Sequence, residues 1–224
     1  MVGNQAERER WETFFGGVWQ KQSLEFGNLF RYNPYRWVHG GLRMDQERAW
    51  IEQALEGDRT AFGHLVKAYE RPVYNLTYRM LGNAAEAEDA AQETFLRAYS
   101  KLATYQPERK FVNWLLSIAS HHCIDRLRRR SRAPQLSLDG PLPPQWTVSN
   151  TPRPDQVVSQ NQQREQVLQV LDTLPSDYRA TVVLRYWYGL SYREIATAMS
   201  TTESAIKSRL HRARRMMAQE LQAA

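Results

Sequence analysis

The residues in this sequence that could do chemistry are cations and aromatic rings suited to binding nucleic acid. The stretch AIKSRLHRARRMM, residues 205–217, mixes basic with apolar side chains at helical spacing, and a second basic run, residues 126–132, follows Trp114. Lysine and arginine bind phosphates, and an aromatic ring can stack on an unpaired base. We recognise no phosphate-binding glycine loop, nucleophile triad or metal-ligand cluster, so we expect no enzymatic activity, no cofactor and no metal.

Composition limits the class of binding partner and the cellular compartment that we expect. The chain of 224 residues has a formal net charge of +6, which favours an anionic partner without distinguishing nucleic acid from a membrane surface. Its single cysteine, Cys123, cannot form an internal disulfide. No apolar run approaches the roughly 18 residues that span a bilayer. We therefore expect a cytoplasmic protein.

Helices are the elements that must position these residues. Almost every long segment has helical periodicity and alternating strands are absent, so we predict an all-α protein. Prolines are concentrated in residues 133–164, where we expect an extended, flexible linker between two small helical domains, residues 44–132 and 165–224. Residues 1–43 are rich in aromatics and glycine without periodicity. Either Met44 is an alternative or true start and these residues are a poorly ordered extension, or they form a docking arm for a partner.

The C-terminal part of the sequence predicts a helix-turn-helix. Ser191 and Glu194 form a capping-box pattern, so a helix should occupy residues 192–199. After a short polar break, Thr202 is placed to cap a longer helix over residues 203–221. A short helix, a turn and a longer basic helix are the pattern of this DNA-binding motif.

The long helix should have one buried and one exposed face. The apolar stripe would pack on a preceding helix that Ser176 caps and Gly189 stops, and it comprises Ile206, Leu210, Ala213 and Met217. The opposite face comprises Ser204, Ser208, His211, Arg212 and Arg215. In a recognition helix we expect Ser208, His211 and Arg212 to read base edges. Phosphate contacts, or contacts within the domain, would come from Lys207, Arg209, Arg214 and Arg215. A solvated basic face is the alternative.

Residues 83–102 predict an amphipathic helix with an acidic face. The buried face would comprise Ala87, Ala91, Phe95, Ala98 and Leu102, and the opposite face Glu86, Asp89, Glu93, Leu96 and Ser100. An exposed Leu96 among acids indicates a surface that binds a basic, partly apolar partner. A plain solvated face is one alternative. A carboxylate metal site is another, but this helix lacks the histidines that such sites use.

A second N-terminal helix, starting at Phe111, carries the tryptophan. Its buried side would comprise Val112, Leu115, Ile118, Ala119 and Cys123. A narrow polar stripe remains, made of Trp114, His121, Asp125 and Arg128. We expect Trp114 to stack on a base beside arginines that bind phosphates. Alternatively, it packs on a neighbouring helix and the arginines favour only the helix C-terminus.

These motifs resemble one family in their order along the chain. LSYREIATAM followed by SAIKSRLHRARRMM is similar to region 4 of the extracytoplasmic-function (ECF) sigma factors, bacterial proteins that direct RNA polymerase to promoters. AEDAAQETFLRAY and FVNWLLSIA with its basic end are similar to region 2. The resemblance covers about residues 45–132 and 165–221. Two rivals stay open: a LuxR-type regulator that binds duplex DNA without polymerase, and a helical adaptor that binds RNA or acidic proteins.

The resemblance implies a role for each surface. Core polymerase, through its β′ clamp, would bind Glu86, Asp89, Gln92, Glu93 and Leu96, and the β flap would bind region 4. The minus-ten promoter element would be opened and read by Gln106, Arg109, Lys110, Trp114, His121, Asp125, Arg128 and Arg129. The minus-thirty-five element would be read by Thr202, Ser204, Lys207, Ser208, His211, Arg212 and Arg215. An anti-sigma factor is a further candidate partner.

The sequence departs from the family pattern within the helix that would read the minus-ten element. The family often has a basic residue at the position of Ser117, and a basic residue followed by asparagine at the positions of Ser120 and His121. These differences leave the particular minus-ten bases open without changing the role that the resemblance implies.

Overall fold

Helices form nearly all of the described structure. The computed structural model describes residues 44–132, 165 and 167–223, and these lie in one unit of the chain, Pro34–Ala224. No strand occurs within these residues, which confirms the predicted all-α class. The predicted extension, residues 1–43, and the predicted linker, residues 133–164, lie outside the described residues.

The N-terminal domain is built around one central helix. Its helices are α1 (Met44–Leu55), α2 (Arg59–Leu81), α3 (Ala84–Ser100) and α4 (Phe111–Arg132). Helix α2 is central because α1, α3 and α4 all pack against it. It contributes fully buried side chains along its whole length, among them Leu65, Tyr69, Leu76 and Met80. The removal of these apolar surfaces from water is the main stabilising term of the domain.

Local signals in the sequence fix where these helices begin and end. The side chain of Asp58 accepts hydrogen bonds from the backbone N–H groups of Thr60 and Ala61, and so caps the start of α2. At the other end, Gly82 adopts a left-handed conformation with φ of 74°, which stops the helix. Asn83 follows at once and caps α3. The turn between α2 and α3 is therefore specified by two adjacent residues.

The C-terminal domain contains the predicted helix-turn-helix. A short helical segment, residues 167–172, precedes α5 (Ser176–Tyr186), α6 (Tyr192–Ala198) and α7 (Glu203–Ala223). The predicted capping box at the start of α6 is present, and Thr202 caps α7 by accepting from the N–H of Ala205 at 3.2 Å. The predicted cap of α5 is wrong: Ser176 is the first helical residue, and Pro175 occupies the cap position without a side-chain hydrogen bond.

Burial follows the predicted faces with two exceptions. The apolar stripe of α7 is buried at Ile206, Leu210, Ala213 and Met217. In the N-terminal domain, Phe95 and Ile118 are only partly buried, and the buried side of α3 instead includes Ala90 and Thr94. Thr94 is accommodated in the core because its hydroxyl donates to the backbone carbonyl of Ala90 at 2.7 Å.

The two helical domains contact each other. Helix α5 packs against α2 and α4, and α6 packs against α4. Arg179 of α5 and Tyr188, in the loop that follows α5, are buried at 5% and 3% exposure. These two side chains of the domain contact are therefore largely removed from water.

Two glycines of the α2 region predict opposite effects of the same substitution. Neither position has a neighbour that an added methyl group would meet, so backbone conformation alone decides the outcome. Gly82→Ala should destabilise the protein by about 1 kcal/mol, because an L side chain is disfavoured at φ of 74°. Gly63→Ala, within the helix, should instead stabilise it by roughly 0.5 to 1 kcal/mol. Urea denaturation midpoints of the two variants, compared with the parent, measure both. A loss of stability in both variants would show that backbone conformation does not decide the effect.

Candidate binding surfaces

The exposed face of α3 forms the first candidate surface, defined by Glu86, Asp89, Gln92, Glu93 and Leu96 and called here the α3 surface. Leu96 is 67% exposed, the most exposed large apolar side chain among the described residues. Tyr99 lies one turn further on and is 40% exposed, although its ring contacts Phe62 at 4.9 Å between centroids. Leucine and tyrosine exposed together offer apolar area to a partner.

The acids of the α3 surface have basic neighbours within the domain. Arg126 of α4 lies 3.3 Å from a carboxylate oxygen of Glu86 and 3.9 Å from one of Asp89. Glu93 accepts a hydrogen bond from Arg97 at 2.7 Å, and this bond holds the pKa of the Glu93 carboxyl below its ordinary value. These partly exposed pairs contribute little to stability and can exchange partners at small cost. The surface is therefore less negative than its sequence suggests.

His122 of α4 is buried behind the α3 surface and was not among the residues predicted to be buried. Burial lowers the pKa of its imidazole, and the positive charge of Arg97 lowers it further. The ring is consequently neutral at pH 7. Helical periodicity places His122 on the predicted buried side, seven residues after Leu115 and three after Ala119, so the burial of this position could have been predicted.

The second candidate surface, called here the α4 surface, comprises Gln106, Arg109, Lys110, Trp114, His121, Asp125, Arg128 and Arg129. All of these residues are exposed except Trp114, which is of intermediate burial, and the Arg128 side chain is 49% exposed. The loop before α4 is closed by the Tyr105 hydroxyl, which donates to the carbonyl of Arg109 at 2.5 Å, and by the Arg109 N–H, which donates to the carbonyl of Gln106. The loop therefore holds its polar side chains beside the first turn of α4.

Trp114 is anchored in an aromatic cluster and half-buried. Its ring lies 5.4 Å from Tyr105 and 5.4 Å from Phe111, measured between centroids. Phe111 in turn contacts the core residue Tyr69 at 5.5 Å. These ring contacts come from the preceding loop and from the first residue of α4 itself, whereas the packing alternative placed Trp114 against a neighbouring helix. Trp114 is of intermediate burial. Tyr105 supports this ring and was not among the predicted site residues.

Three polar residues of the α4 surface are held by contacts of their side chains. The Nδ1 atom of His121 lies 2.8 Å from the carbonyl oxygen of Ser117, and Arg129 donates to the carbonyl of Asp125 at 3.3 Å. Arg128 reaches further and contacts Asp177 of the C-terminal domain. The cations are therefore brought together along α4, but one of them has an acidic partner from the other domain.

The third candidate surface, called here the α7 surface, comprises Thr202, Ser204, Lys207, Ser208, His211, Arg212 and Arg215. All seven are exposed, opposite the buried stripe. Arg212 makes a long hydrogen bond of 3.4 Å to the hydroxyl of Tyr178 on α5. Its guanidinium group is nevertheless exposed to solvent, as a side chain that reads DNA requires.

The turn between α6 and α7 is a Schellman motif without glycine. The N–H of Thr201 donates to the carbonyl of Ala196 at 2.9 Å, and the N–H of Ser200 to that of Thr197 at 3.3 Å. Ser200 adopts φ of 50°, a left-handed conformation that glycine favours. This turn fixes the angle at which α7 leaves α6, so it sets the orientation of the α7 surface.

Tyr192, the first residue of α6, contacts cations of both neighbouring helices, α5 and α7. Its ring lies under the Arg185 guanidinium at 4.9 Å and near the Lys207 ammonium at 5.9 Å. Both distances are within the range of cation–π attraction. Tyr192 therefore positions Lys207 at the start of the α7 surface. The sequence did not reveal this role, since a tyrosine after a capping serine is compatible with any helix start.

Two other features of the described residues bear on function. Their histidine, cysteine and acidic side chains form no group of three that could hold a metal ion. Within the same residues, every helix is too short or too polar to cross a membrane.

Comparison with protein families matches both domains. Residues 65–133 match the model of Sigma-70 region 2, and residues 164–217 match that of Sigma-70, region 4. The α3 and α4 surfaces lie within the first match, and the α7 surface within the second. The first match leaves the alternative of a LuxR-type regulator without support, because it assigns the N-terminal domain to the sigma factors as well.

Two relatives match this chain over nearly their whole length. The ECF RNA polymerase sigma factor SigW of Bacillus subtilis is 35% identical over 178 residues, which cover 76% of this chain and 94% of SigW. The RNA polymerase sigma-H factor of Pseudomonas aeruginosa is 31% identical over 190 residues, which cover 81% and 96% of the two chains.

Solved structures agree on the fold. CnrH, in complex with the cytosolic domain of CnrY, superposes with a TM-score of 0.58 at 23% identity, covering 80% of this chain and 99% of CnrH. The sigma factor RpoE, in complex with the anti-sigma factor NepR from Bartonella quintana, superposes with a TM-score of 0.54 at 20% identity, covering 72% and 96%. With both regions matched in order and relatives above 30% identity, the chain belongs to the extracytoplasmic-function sigma factors of the sigma-70 family.

Proposed function

We propose that this sigma factor binds core RNA polymerase through the α3 surface, reads and opens the minus-ten element through the α4 surface, and reads the minus-thirty-five element through the α7 surface. One observation carries most of this proposal. Helix α7 buries its apolar stripe and leaves a polar, basic face exposed, behind a capped helix and a fixed turn. That arrangement is the geometry of a recognition helix in the major groove.

The α3 surface supports the polymerase assignment by its composition. An interface with a protein partner needs a desolvated apolar centre and a polar rim. Leu96 and Tyr99 supply exposed apolar area, and Gln92 and Glu93 surround it with polar groups. The acids would meet cations on the β′ clamp, which gives the contact its orientation.

The α4 surface supports the assignment to melted DNA by combining an aromatic ring with cations. Trp114 is partly exposed on its aromatic cluster, Arg109 and Lys110 are exposed in the sequence just before α4, and Arg129 is exposed further along the same helix. Stacking on a base outside the duplex offsets part of the cost of unstacking, which is a few kcal/mol per base. Cations hold the displaced strand by its phosphates.

The family assignment supports three further parts of the proposal. The protein acts in the bacterial cytoplasm, where polymerase and promoter DNA are found. It has no catalytic activity of its own, since a sigma factor contributes binding and polymerase contributes the chemistry. An anti-sigma factor is a candidate regulator, because a sigma factor of similar fold was solved in complex with one.

The polymerase-binding role of the α3 surface predicts a loss of binding on charge reversal. Glu93→Arg combined with Leu96→Arg should abolish co-purification with core polymerase, because the exposed acidic and apolar surface becomes basic. Helix content should be preserved, since Leu96 is 67% exposed and the ion pair of Glu93 is with a neighbour on its own helix. Pull-down with core polymerase measures the binding, and far-ultraviolet circular dichroism measures the helix content.

A matched control comes from the other highly exposed leucine. Leu55 at the end of α1 is 50% exposed and lies outside the α3 surface. Leu55→Arg should leave polymerase binding unchanged. If Leu55→Arg and the double variant reduced binding equally, the α3 surface would not be the polymerase contact.

The α7 surface predicts different effects for two of its arginines. Arg212→Ala should relax base preference at one position of the minus-thirty-five element, because a guanidinium that pairs with guanine discriminates by roughly 1 to 3 kcal/mol. Arg215→Ala should weaken binding evenly across sequences and reduce the slope of its salt dependence by about one unit, as loss of a phosphate contact does. Transcription of a promoter library at two salt concentrations separates these outcomes. A uniform loss in both variants would show that the proposed register of α7 is wrong.

A further inference from the structure

His122 of α4 is a buried titratable side chain that none of the three binding surfaces uses. It is 8% exposed and lies behind the α3 surface, where α4 packs against α3. Its Nδ1 atom is buried and has no hydrogen-bond partner among the described residues. Because buried polar atoms are nearly always paired, this nitrogen is unusual.

Four charged side chains from two helices act on this imidazole. Glu93 and Arg97 come from α3, and Arg126 and Arg129 come from α4 itself. Helices α2, α5 and α6 also pack on α4, but within the described part of the chain they contribute no charge that shifts the pKa of His122. Three cations and one carboxylate therefore act on the ring.

The present packing of α3 on α4 suits a neutral imidazole. In the protonated form both ring nitrogens carry hydrogen and act as donors. A donor at the buried Nδ1 atom of His122 would have no acceptor among the described residues, and the nearby arginines would repel its positive charge. Protonation therefore requires this contact to rearrange.

The pKa of His122 agrees with the geometry. Burial lowers it most and the charge of Arg97 lowers it further, to below the ordinary value of 6.5, although Glu93 acts in the opposite direction. The folded protein thus binds this proton less readily than the unfolded chain does. Consequently the free energy of unfolding decreases as pH falls below 6.5, and it stops decreasing below the lowered pKa.

Glu93 is the carboxylate that a protonated His122 would attract. It accepts a hydrogen bond from Arg97 at 2.7 Å, in a pair whose side chains are 41% and 38% exposed. Such an exposed pair is weak, whereas a charge in a buried contact is screened much less by salt. Protonation of His122 therefore favours transfer of the Glu93 carboxylate from Arg97 to the imidazole.

We propose that His122 is a proton-sensitive switch of the α3 surface, which on protonation draws Glu93 away from Arg97 and lowers the affinity of this surface for polymerase. The proposal rests on the proposed function in one respect, the assignment of the α3 surface to polymerase. It adds a residue that lies outside that surface, and a regulatory input, the proton concentration.

The exchange of partners would change the charge that the α3 surface presents. Glu93 is one of its three acids, and Arg97, next to the exposed Leu96, would be left without its carboxylate. A basic partner would then meet a less negative surface with an additional free cation. Because one proton is involved, the affinity should fall by at most about tenfold per pH unit below the lowered pKa.

The first measurement follows the His122 imidazole itself by NMR of protein labelled with ¹³C at histidine, with His122→Gln to assign its signal. The titration midpoint of His122 should lie below 6.5. Arg97→Gln should raise this midpoint because it removes a cation that disfavours protonation. Glu93→Gln should lower it because it removes the carboxylate that favours protonation.

A matched control for the titration is Glu88→Gln. Glu88 is an exposed acid of α3 and is not among the charges that act on His122. Its removal should leave the midpoint of His122 unchanged. A midpoint of 6.5 or above in the parent protein, or equal shifts from Glu88→Gln and Glu93→Gln, would overturn the switch.

The second measurement compares the Kd for core polymerase at pH 7.5 and at pH 5.5. The Kd should rise with acidification by roughly threefold to tenfold more in the parent protein than in His122→Leu, which has no group to protonate at this position. His122→Gln is a second variant of this kind, for use if circular dichroism shows that His122→Leu loses helix content. His64→Gln, at an exposed histidine of α2, should behave like the parent.

Failure of the switch and failure of the proposed function give different results. If Glu93→Arg with Leu96→Arg kept polymerase binding at pH 7.5, the α3 surface would not be the polymerase contact, and the NMR midpoints would still report whether Glu93 and Arg97 control the protonation of His122. If that double variant lost binding while the parent and the His122 variants responded equally to pH, the switch alone would be wrong.

Discussion

The buried face of α2 is the constraint on which the rest of the described structure depends, because α1, α3, α4 and α5 all contact this one helix. Its apolar positions fix the N-terminal domain, and its end at Gly82 sets the direction of α3. Its backbone also serves the other domain. The carbonyls of Pro72 and Met80 accept hydrogen bonds from Tyr188 and Arg179. A single helix thus positions the proposed polymerase surface and holds the C-terminal domain.

The core of the N-terminal domain and the contact between the two domains differ in their chemistry. The core of the N-terminal domain is apolar and fully buried, and its disruption would cost the stability of the whole domain. The domain contact buries a guanidinium, that of Arg179, whose pKa falls below its ordinary value because burial disfavours its charge. Removal of that charge from water offsets much of what its hydrogen bonds gain.

The sequence predicted the features that depend on neighbouring residues. The capping box at Ser191, the cap at Thr202 and the buried stripe of α7 all follow from spacings within a few helical turns, and the structure confirms them. The exposure of Leu96 was predicted for the same reason. The cap of α5 was predicted wrongly because Ser176 follows Pro175, whose fixed φ suits the residue just before or at the start of a helix.

Contacts between distant parts of the chain had no sequence signal. Asn113 and Glu194 are separated by 81 positions, and nothing in either helical pattern requires their contact. Trp114 was recognised as unusual, but its support by Tyr105 and Phe111 depends on how the loop before α4 folds back. The resemblance to sigma factors supplied the roles of the surfaces, whereas the acids that face the α4 surface became visible only in the structure.

Glu194 connects the start of α6 to the N-terminal domain. One oxygen of its carboxylate accepts from the backbone and side chain of Ser191 and so starts α6, and the other accepts from Asn113. Because its pKa is lower in the folded protein than its ordinary value of 4.5, this stabilisation is fully present above that value and is lost as pH falls through the lowered pKa. The same carboxylate therefore caps α6 and joins it to α4 of the N-terminal domain.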